Sequence, residues 1–439
     1  MIILVIIFFA ALTILIGKYA FGSWFNHLGI YGAVWGFTLA VFHSGLYRYY
    51  PLESETWMLI IAAWLAFLFG SLTMIACRAA VPPRENTFSF YQPGELFFIE
   101  KKELHLLHRT LWVLNIILIL HTTYEVYNVV RILGGGLANV VILANKLYGI
   151  RVQEGIPGSI PYFGSLAFLA AILSGIYTSA VGKLKLVAFI PFIISIAISF
   201  VQVVRAFAVI VAVLFISAYF LNRKRTDENI QRTFKNYFRR VVAIGILISL
   251  LVVTLEVIRT TRGVYEKFSG ETSTLRHMRT SGSSFISPSV IMYISVHSGV
   301  LNQYLKEDQE HVVWGRYTLA PMWRLVSKFG FETFVGFYQS WFYQTPAPAN
   351  TGTYIRELHA DFGVSGVVIV PYLLGLVASL YWFRIRERNK LLDIIILAHI
   401  YAVVGMSWFV MLTQLGGWFL SLATGIIIAR IVDRKLNIQ

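Results

Sequence analysis

Between Asn350 and Gly363 the chain reads Asn-Thr-Gly-Thr-Tyr-Ile-Arg-Glu-Leu-His-Ala-Asp-Phe-Gly, with five side chains that carry a charge or a labile proton: Tyr354, Arg356, Glu357, His359 and Asp361. A strongly apolar run begins directly after it, at Val364. Ionisable groups that enter a lipid-embedded segment are expensive to hold and therefore mark function more often than accident. If the stretch is helical from Gly352 onward, Arg356 and His359 are i,i+3 neighbours, and Glu357 and Asp361 are i,i+4 on the adjacent face. That arrangement sets a phosphate-binding guanidinium beside an imidazole whose ordinary pKa of about 6.5 suits a general base for a hydroxyl. The competing reading is structural: an ion network of Arg356 with Glu357 or Asp361 at the mouth of a helix.

Three further clusters have the right residue types. Arg205 stands alone between two apolar runs in Val-Gln-Val-Val-Arg-Ala-Phe-Ala. It is either a snorkelling side chain at a tight turn or a bidentate ligand for a lipid-linked pyrophosphate at the membrane boundary. Arg276-His-Met-Arg279 follows Arg259, Arg262 and Lys267, which on a solvated loop need mean nothing more than charge. His297-Ser-Gly and Trp314-Gly-Arg-Tyr-Thr-Leu-Ala-Pro321 place Arg316 between aromatics, including Tyr317, that can line a sugar site, although aromatics on a helical stripe are more often core. No His, Asp and Glu set has metal-ligand spacing, and Gly134-Gly-Gly136 does not make a nucleotide-binding loop. Energy for any reaction must then come from a pre-activated substrate or an ion gradient.

The elements that must hold these residues are apolar. Of 439 residues, 57% are hydrophobic, 15% aromatic and 13% charged, far from soluble-domain averages, so the chain reads as an all-α polytopic integral membrane protein. Apolar stretches long enough for a hydrocarbon core of roughly 30 Å number about eleven. They lie at 1–17, 25–42, 57–77, 110–130, 160–180, 185–203, 205–221, 241–258, 364–383, 391–411 and 415–431. Met1-Ile-Ile-Leu-Val lacks a basic leader, so a retained first span is expected. The lone cysteine, Cys77, excludes an internal disulfide and reads as packing filler.

The 37 Lys and Arg against 22 Asp and Glu reflect the positive-inside bias rather than nucleic acid. Twenty-two of these cations fall on one side of the spans and 15 on the other, ten of the latter in the long loop 259–362. This puts the N-terminus and the long loop outside and the C-terminus inside. Three parts follow: an N-terminal membrane part, 1–258, with about eight spans; the exported loop, 259–362, bearing the polar segment; and about three C-terminal spans with a cytoplasmic tail, 363–439. Within the loop, Ser269–Ser289 has linker composition, Val300–Phe337 reads as amphipathic helix, and Thr345-Pro-Ala-Pro-Ala-Asn350 as a hinge. Residues 131–158 read as a re-entrant or interfacial helix.

Asn350-Thr-Gly-Thr-Tyr354, Asp361-Phe-Gly-Val-Ser-Gly366, Gly315-Arg-Tyr-Thr-Leu-Ala-Pro321 and a large exported loop before the last spans together resemble bacterial O-antigen and oligosaccharide repeat-unit polymerases of the Wzy type. The sequence-specific part of the likeness is about 50 residues, Gly315 to Gly366, and the lone Arg205 is similar to that family's periplasmic arginine. The resemblance implies a metal-independent, cofactor-free glycosyltransferase of GT-C-like fold in the bacterial inner membrane. Its substrates would be undecaprenyl-pyrophosphate-linked oligosaccharides, and its partner a chain-length regulator of the polysaccharide co-polymerase kind.

On that reading Arg205, Arg279, Arg316 and Arg356 bind the pyrophosphate. His359 is the base with Asp361 or Glu357 orienting it and Tyr354 assisting, while His297, Tyr317, Asn350 and Thr351 line the glycan site. His297 stands as a second candidate base. Where the family tends to carry an aromatic or neutral residue before Asp-Phe-Gly, this chain has His359-Ala360. An O-antigen ligase, a lipid-linked oligosaccharide transporter and a non-catalytic assembly subunit remain open; sparse mid-span charge weighs against transport.

Overall fold

The computed structural model describes residues 1–80, 101–153, 156–204, 206–222, 288–307, 314–330, 343–345, 347–388 and 390–437. Ten of the eleven expected spans coincide with helices, and the one at 241–258 lies outside the described residues. Among the described residues, 6 helices are long and apolar enough to cross a membrane: Ile2–Phe21, Ser54–Ala79, Leu104–Leu133, Phe163–Val181, Tyr354–Glu387 and Gly416–Asp433. Leu186–Val201, Ala206–Leu221 and Leu391–Met406 are apolar but only 16 residues each, about 24 Å at 1.5 Å per residue. The molecule is a helical protein with the character of a membrane protein.

The Cα trace divides into two compact units, each described separately. The first comprises Met1–Tyr91, Gly270–Arg384 and His399–Phe419, and so draws on all three parts expected from the sequence. Its first helices are α1 (Ile2–Phe21), α2 (His27–His43) and α3 (Ser54–Ala79). Helix α1, long and apolar enough to cross a membrane, packs along α2 while Leu4, Phe8, Phe9, Leu12 and Leu15 stay exposed.

Further along, α10 (Pro288–Glu307) and α11 (Ala320–Ser327) follow, then a β-ribbon of Tyr343–Thr345 paired antiparallel with Ala347–Ala349, then α12 (Tyr354–Arg388). The ribbon occupies the stretch expected to be a hinge. The end of the expected linker is helical, since α10 begins at Pro288. Small residues let α3 and α12 touch backbone to backbone: a Cβ on Gly70 would collide with the Tyr372 carbonyl, and one on Gly375 with that of Phe67.

Helix α12 is broken at Gly363, whose φ of 65° and ψ of −157° a side chain would make strained. The break separates the polar head, Tyr354–Phe362, from the apolar body. After α13 (Leu391–Met406), the span expected to reach 411 unwinds instead. Ser407 Oγ bonds the Val404 carbonyl at 2.8 Å and Trp408 Nε1 that of Gly405 at 3.0 Å, so side chains compete with the helical ladder. The chain runs irregular and buried through the turn Leu412–Gln414 before α14 (Gly416–Asn437).

The second unit comprises Gln92–Ser269, Ile385–Ala398 and Leu420–Gln439. It contains α4 (Lys101–Leu133), α5 (Ala138–Ile142), α6 (Ala144–Gln153), α7 (Leu166–Val181), α8 (Leu186–Val201) and α9 (Ala206–Leu221). The piece expected to be one interfacial helix, 131–158, is therefore two short ones, packed on a cluster of Val129, Leu133, Val140, Leu147 and Val203. Glu125, buried well inside α4, accepts from Ser159 Oγ at 2.9 Å and from the Ile160 N–H at 2.8 Å. The carboxyl group thus fixes the loop at Ser159 and Ile160.

Candidate functional site

The polar head of α12 is anchored at its start. The Tyr354 N–H donates to the Ser407 carbonyl at 2.9 Å, Trp35 Nε1 reaches Ser407 Oγ at 2.9 Å, and the Tyr354 and Tyr31 hydroxyls bond at 2.9 Å. Tyr354 is fully buried, and Tyr31 stacks on Phe67 at 4.4 Å. This side chain thus locks the helix entry into the bundle of the first unit.

Arg356 is 5% exposed and Glu357 is fully buried; the Arg356 Nε lies 3.4 Å from Glu357 Oε1. The guanidinium also lies 5.9 Å from the centre of the Tyr343 ring, and its stem packs over Gly352. A buried ion pair is weak evidence for stability, since desolvation offsets its attraction. Gln414 in the irregular turn is buried beside the Glu357 carboxylate. The pairing of Arg356 with Glu357 that the structural reading foresaw is thus present at the helix mouth.

Asp361 is not the partner of His359. Its Oδ1 accepts the Tyr317 N–H at 2.8 Å and its Oδ2 the Thr318 N–H at 2.6 Å, while its carbonyl accepts the Trp314 N–H at 2.9 Å. The carboxylate therefore clamps the turn that carries Arg316 and Tyr317 onto the head of α12. Charge-assisted bonds of this kind are roughly twice as strong as neutral ones. Arg316 is partly exposed with its guanidinium 5.9 Å from the Trp323 ring centre, and Tyr317 is buried at 4% exposure.

His359 is partly exposed, one turn along from Arg356. Its Nδ1 stands 3.2 Å from the hydroxyl of Tyr304 on α10, and the Glu55 carboxylate is within electrostatic reach. Neither Tyr304 nor Glu55 stood out in the sequence. Tyr304 continues the buried stripe of α10 through Val300 and Leu301, a helical period that marks a core position but not what it touches. A base acting through Nε2 needs the tautomer in which Nδ1–H donates to Tyr304.

His297 is placed differently from a base or a glycan ligand. It is buried at 3% exposure, with Nδ1 2.7 Å from the Thr351 carbonyl, Nε2 2.8 Å from that of Tyr293, and Trp408 and Phe409 against its ring. Burial lowers its pKa to about 4, while the two carbonyls pull weakly the other way. The imidazole pins the loop Asn350–Thr353. Asn350 and Thr351 are partly exposed, their side chains 3.3 Å apart. Arg205 and Arg279 lie outside the described residues.

The structure thus brings Arg356, Glu357, His359, Asp361, Arg316 and Tyr317 together through one helix head and one turn. Among the described residues no group of three or more His, Cys, Asp and Glu could hold a metal ion. No protein-family model, curated protein or solved structure matches this chain.

Proposed function

We propose that the chain is a membrane glycosyltransferase that polymerises lipid-linked oligosaccharide repeat units at the periplasmic face of a bacterial inner membrane. In this reading the growing glycan leaves undecaprenyl pyrophosphate and joins a hydroxyl of the next lipid-linked unit. The acceptor oxygen forms a bond to the anomeric carbon, the bond from that carbon to the pyrophosphate oxygen breaks, and its electron pair leaves with the lipid pyrophosphate. His359 Nε2 takes the hydroxyl proton, with Tyr304 setting its tautomer. Arg316 and Arg356 stabilise the charge that grows on the leaving group.

The observation that carries the reading is the Asp361 clamp, which ties the Arg316 turn to a helix head bearing His359 and Arg356. Cation and imidazole, the two groups that the reaction needs, are on elements bolted together at the entry to a membrane-length apolar helix. The test is reconstitution of the full chain in nanodiscs with a lipid-linked repeat unit, without nucleotide sugar, ATP or added metal. A ladder of glycan products that persists in EDTA is the expected result. A folded protein that makes no ladder, but carries the same substrate across a sealed bilayer, would favour transport instead.

A further inference from the structure

The segment Trp314–Gly330 carries a surface for which the proposed reaction has no use. Trp314, Leu319, Met322, Leu325 and Phe329 are exposed, Trp314 to 74% and Phe329 to 75%. Met322 and Leu325 are i,i+3 neighbours on one face of α11, and Phe329 lies in the turn just beyond its end. The same seventeen-residue stretch holds Arg316, Arg324 and Lys328 and no acidic residue. Its helix α11 rests on the buried turn Leu412–Gln414, so the apolar stripe is an outer face of the first unit.

Position says what this face meets. The Trp314 N–H is bonded to the Asp361 carbonyl, and the exposed apolar side chains of α12 begin three residues later at Val364, continuing through Val368, Ile369 and Leu373. Those belong to a helix long and apolar enough to cross a membrane. The segment that carries the apolar stripe is thus tied, through Trp314, to the level at which α12 passes from polar head to apolar body, which is where a bilayer surface lies. An apolar face in a stretch whose own charged residues are all cations is complementary to a sheet of acyl chains topped by phosphates.

We infer that Trp314–Gly330 lies in the membrane–water boundary as an in-plane anchor, with Met322, Leu325 and Phe329 among acyl chains and Arg324 and Lys328 on the phosphates of anionic lipids. The inference is independent of the glycosyltransferase reading and needs only that α12 cross a bilayer.

The test uses the full-length protein with Cys77→Ser, spin-labelled singly at Leu325→Cys, Phe329→Cys or Lys328→Cys, in nanodiscs of phosphatidylglycerol. Collision with oxygen, which concentrates in lipid, should exceed collision with a water-soluble nickel chelate several-fold at Leu325 and Phe329, and the order should reverse at Lys328. Met322→Cys serves where either apolar variant folds poorly. In phosphatidylcholine, or with Arg324→Gln, the Leu325 label should sit measurably shallower; equal depth would remove the phosphate contacts from the proposal. Nickel exceeding oxygen at both apolar positions would overturn it, as would exclusion of both reagents, which would mean that a second copy or another protein segment covers the face.

Discussion

Asp361 holds Thr318 by its backbone: the carboxylate Oδ2 accepts the Thr318 N–H at 2.6 Å while Oδ1 accepts that of Tyr317 at 2.8 Å. Two motifs more than forty residues apart in sequence are joined by one side chain. Hydrogen bonds to a charged acceptor contribute about 1.5–3 kcal/mol. Asp361→Asn keeps one acceptor and turns an NH2 group on the other N–H, so the Arg316 turn should loosen. Glycan polymerisation should fall about 10- to 100-fold, as expected when a cation moves by about an ångström, and proteolysis within 314–330 should quicken. Unchanged proteolysis would mean that the clamp is not what holds the turn.

Tyr304 and His359 separate orientation from proton transfer. His359→Gln removes the base and should lower the single-turnover rate about 100- to 10,000-fold. Tyr304→Phe leaves the imidazole and removes the 3.2 Å contact at Nδ1, so the rate should fall about 10-fold or less with a displaced pH profile. Rates for Tyr304→Phe as low as those for His359→Gln would make the tyrosine a participant in the chemistry.

Gly352 is a steric probe of Arg356. A Cβ there would stand 2.9 Å from Arg356 Cδ and 3.4 Å from Nε, so Gly352→Ala must push the side chain aside. Arg356 should lose its position while the chain still folds, since alanine also restricts the unfolded state. The expected outcome is activity reduced about as far as in Arg356→Lys, with a melting temperature in detergent within a few degrees of wild type.

Much of the helical layout was legible because apolar runs of membrane length need little context to be read. The polar head of α12 was legible too, from five ionisable or phenolic side chains set against Val364. Its wiring was not. Asp361 reads as a carboxylate that orients His359 two residues before it, yet two backbone N–H groups of a distant turn take both of its oxygens. The stop at Met406 was hidden for a related reason: Ser407 and Trp408 turn their side chains onto their own helix, and nothing in an apolar run marks that choice. His297 looked like chemistry, and it became a buried pin because Thr351 and Tyr293 surround it with carbonyls.

That pin gives a pH dependence of stability. Its imidazole titrates near 6.5 when unfolded and at about 4 when folded, so between these values the unfolded chain binds the extra proton. Stability should therefore fall as pH drops from about 6.5 towards 4, by about 2 kcal/mol at pH 5 from this group alone. Melting curves in detergent at pH 7.5 and pH 5 should show the loss, and His297→Gln should show less of it. An identical slope in the variant would place the acid sensitivity elsewhere.

The most direct measurement counts bonds against leaving groups. Purified full-length protein in nanodiscs would receive a defined undecaprenyl-pyrophosphate repeat unit in EDTA, and free undecaprenyl pyrophosphate would be quantified alongside new glycosidic bonds. One lipid pyrophosphate released for each bond formed, with both signals lost in His359→Gln and in Arg356→Gln, is the predicted result. Neither signal from folded wild type, or both persisting in the two variants, would contradict it.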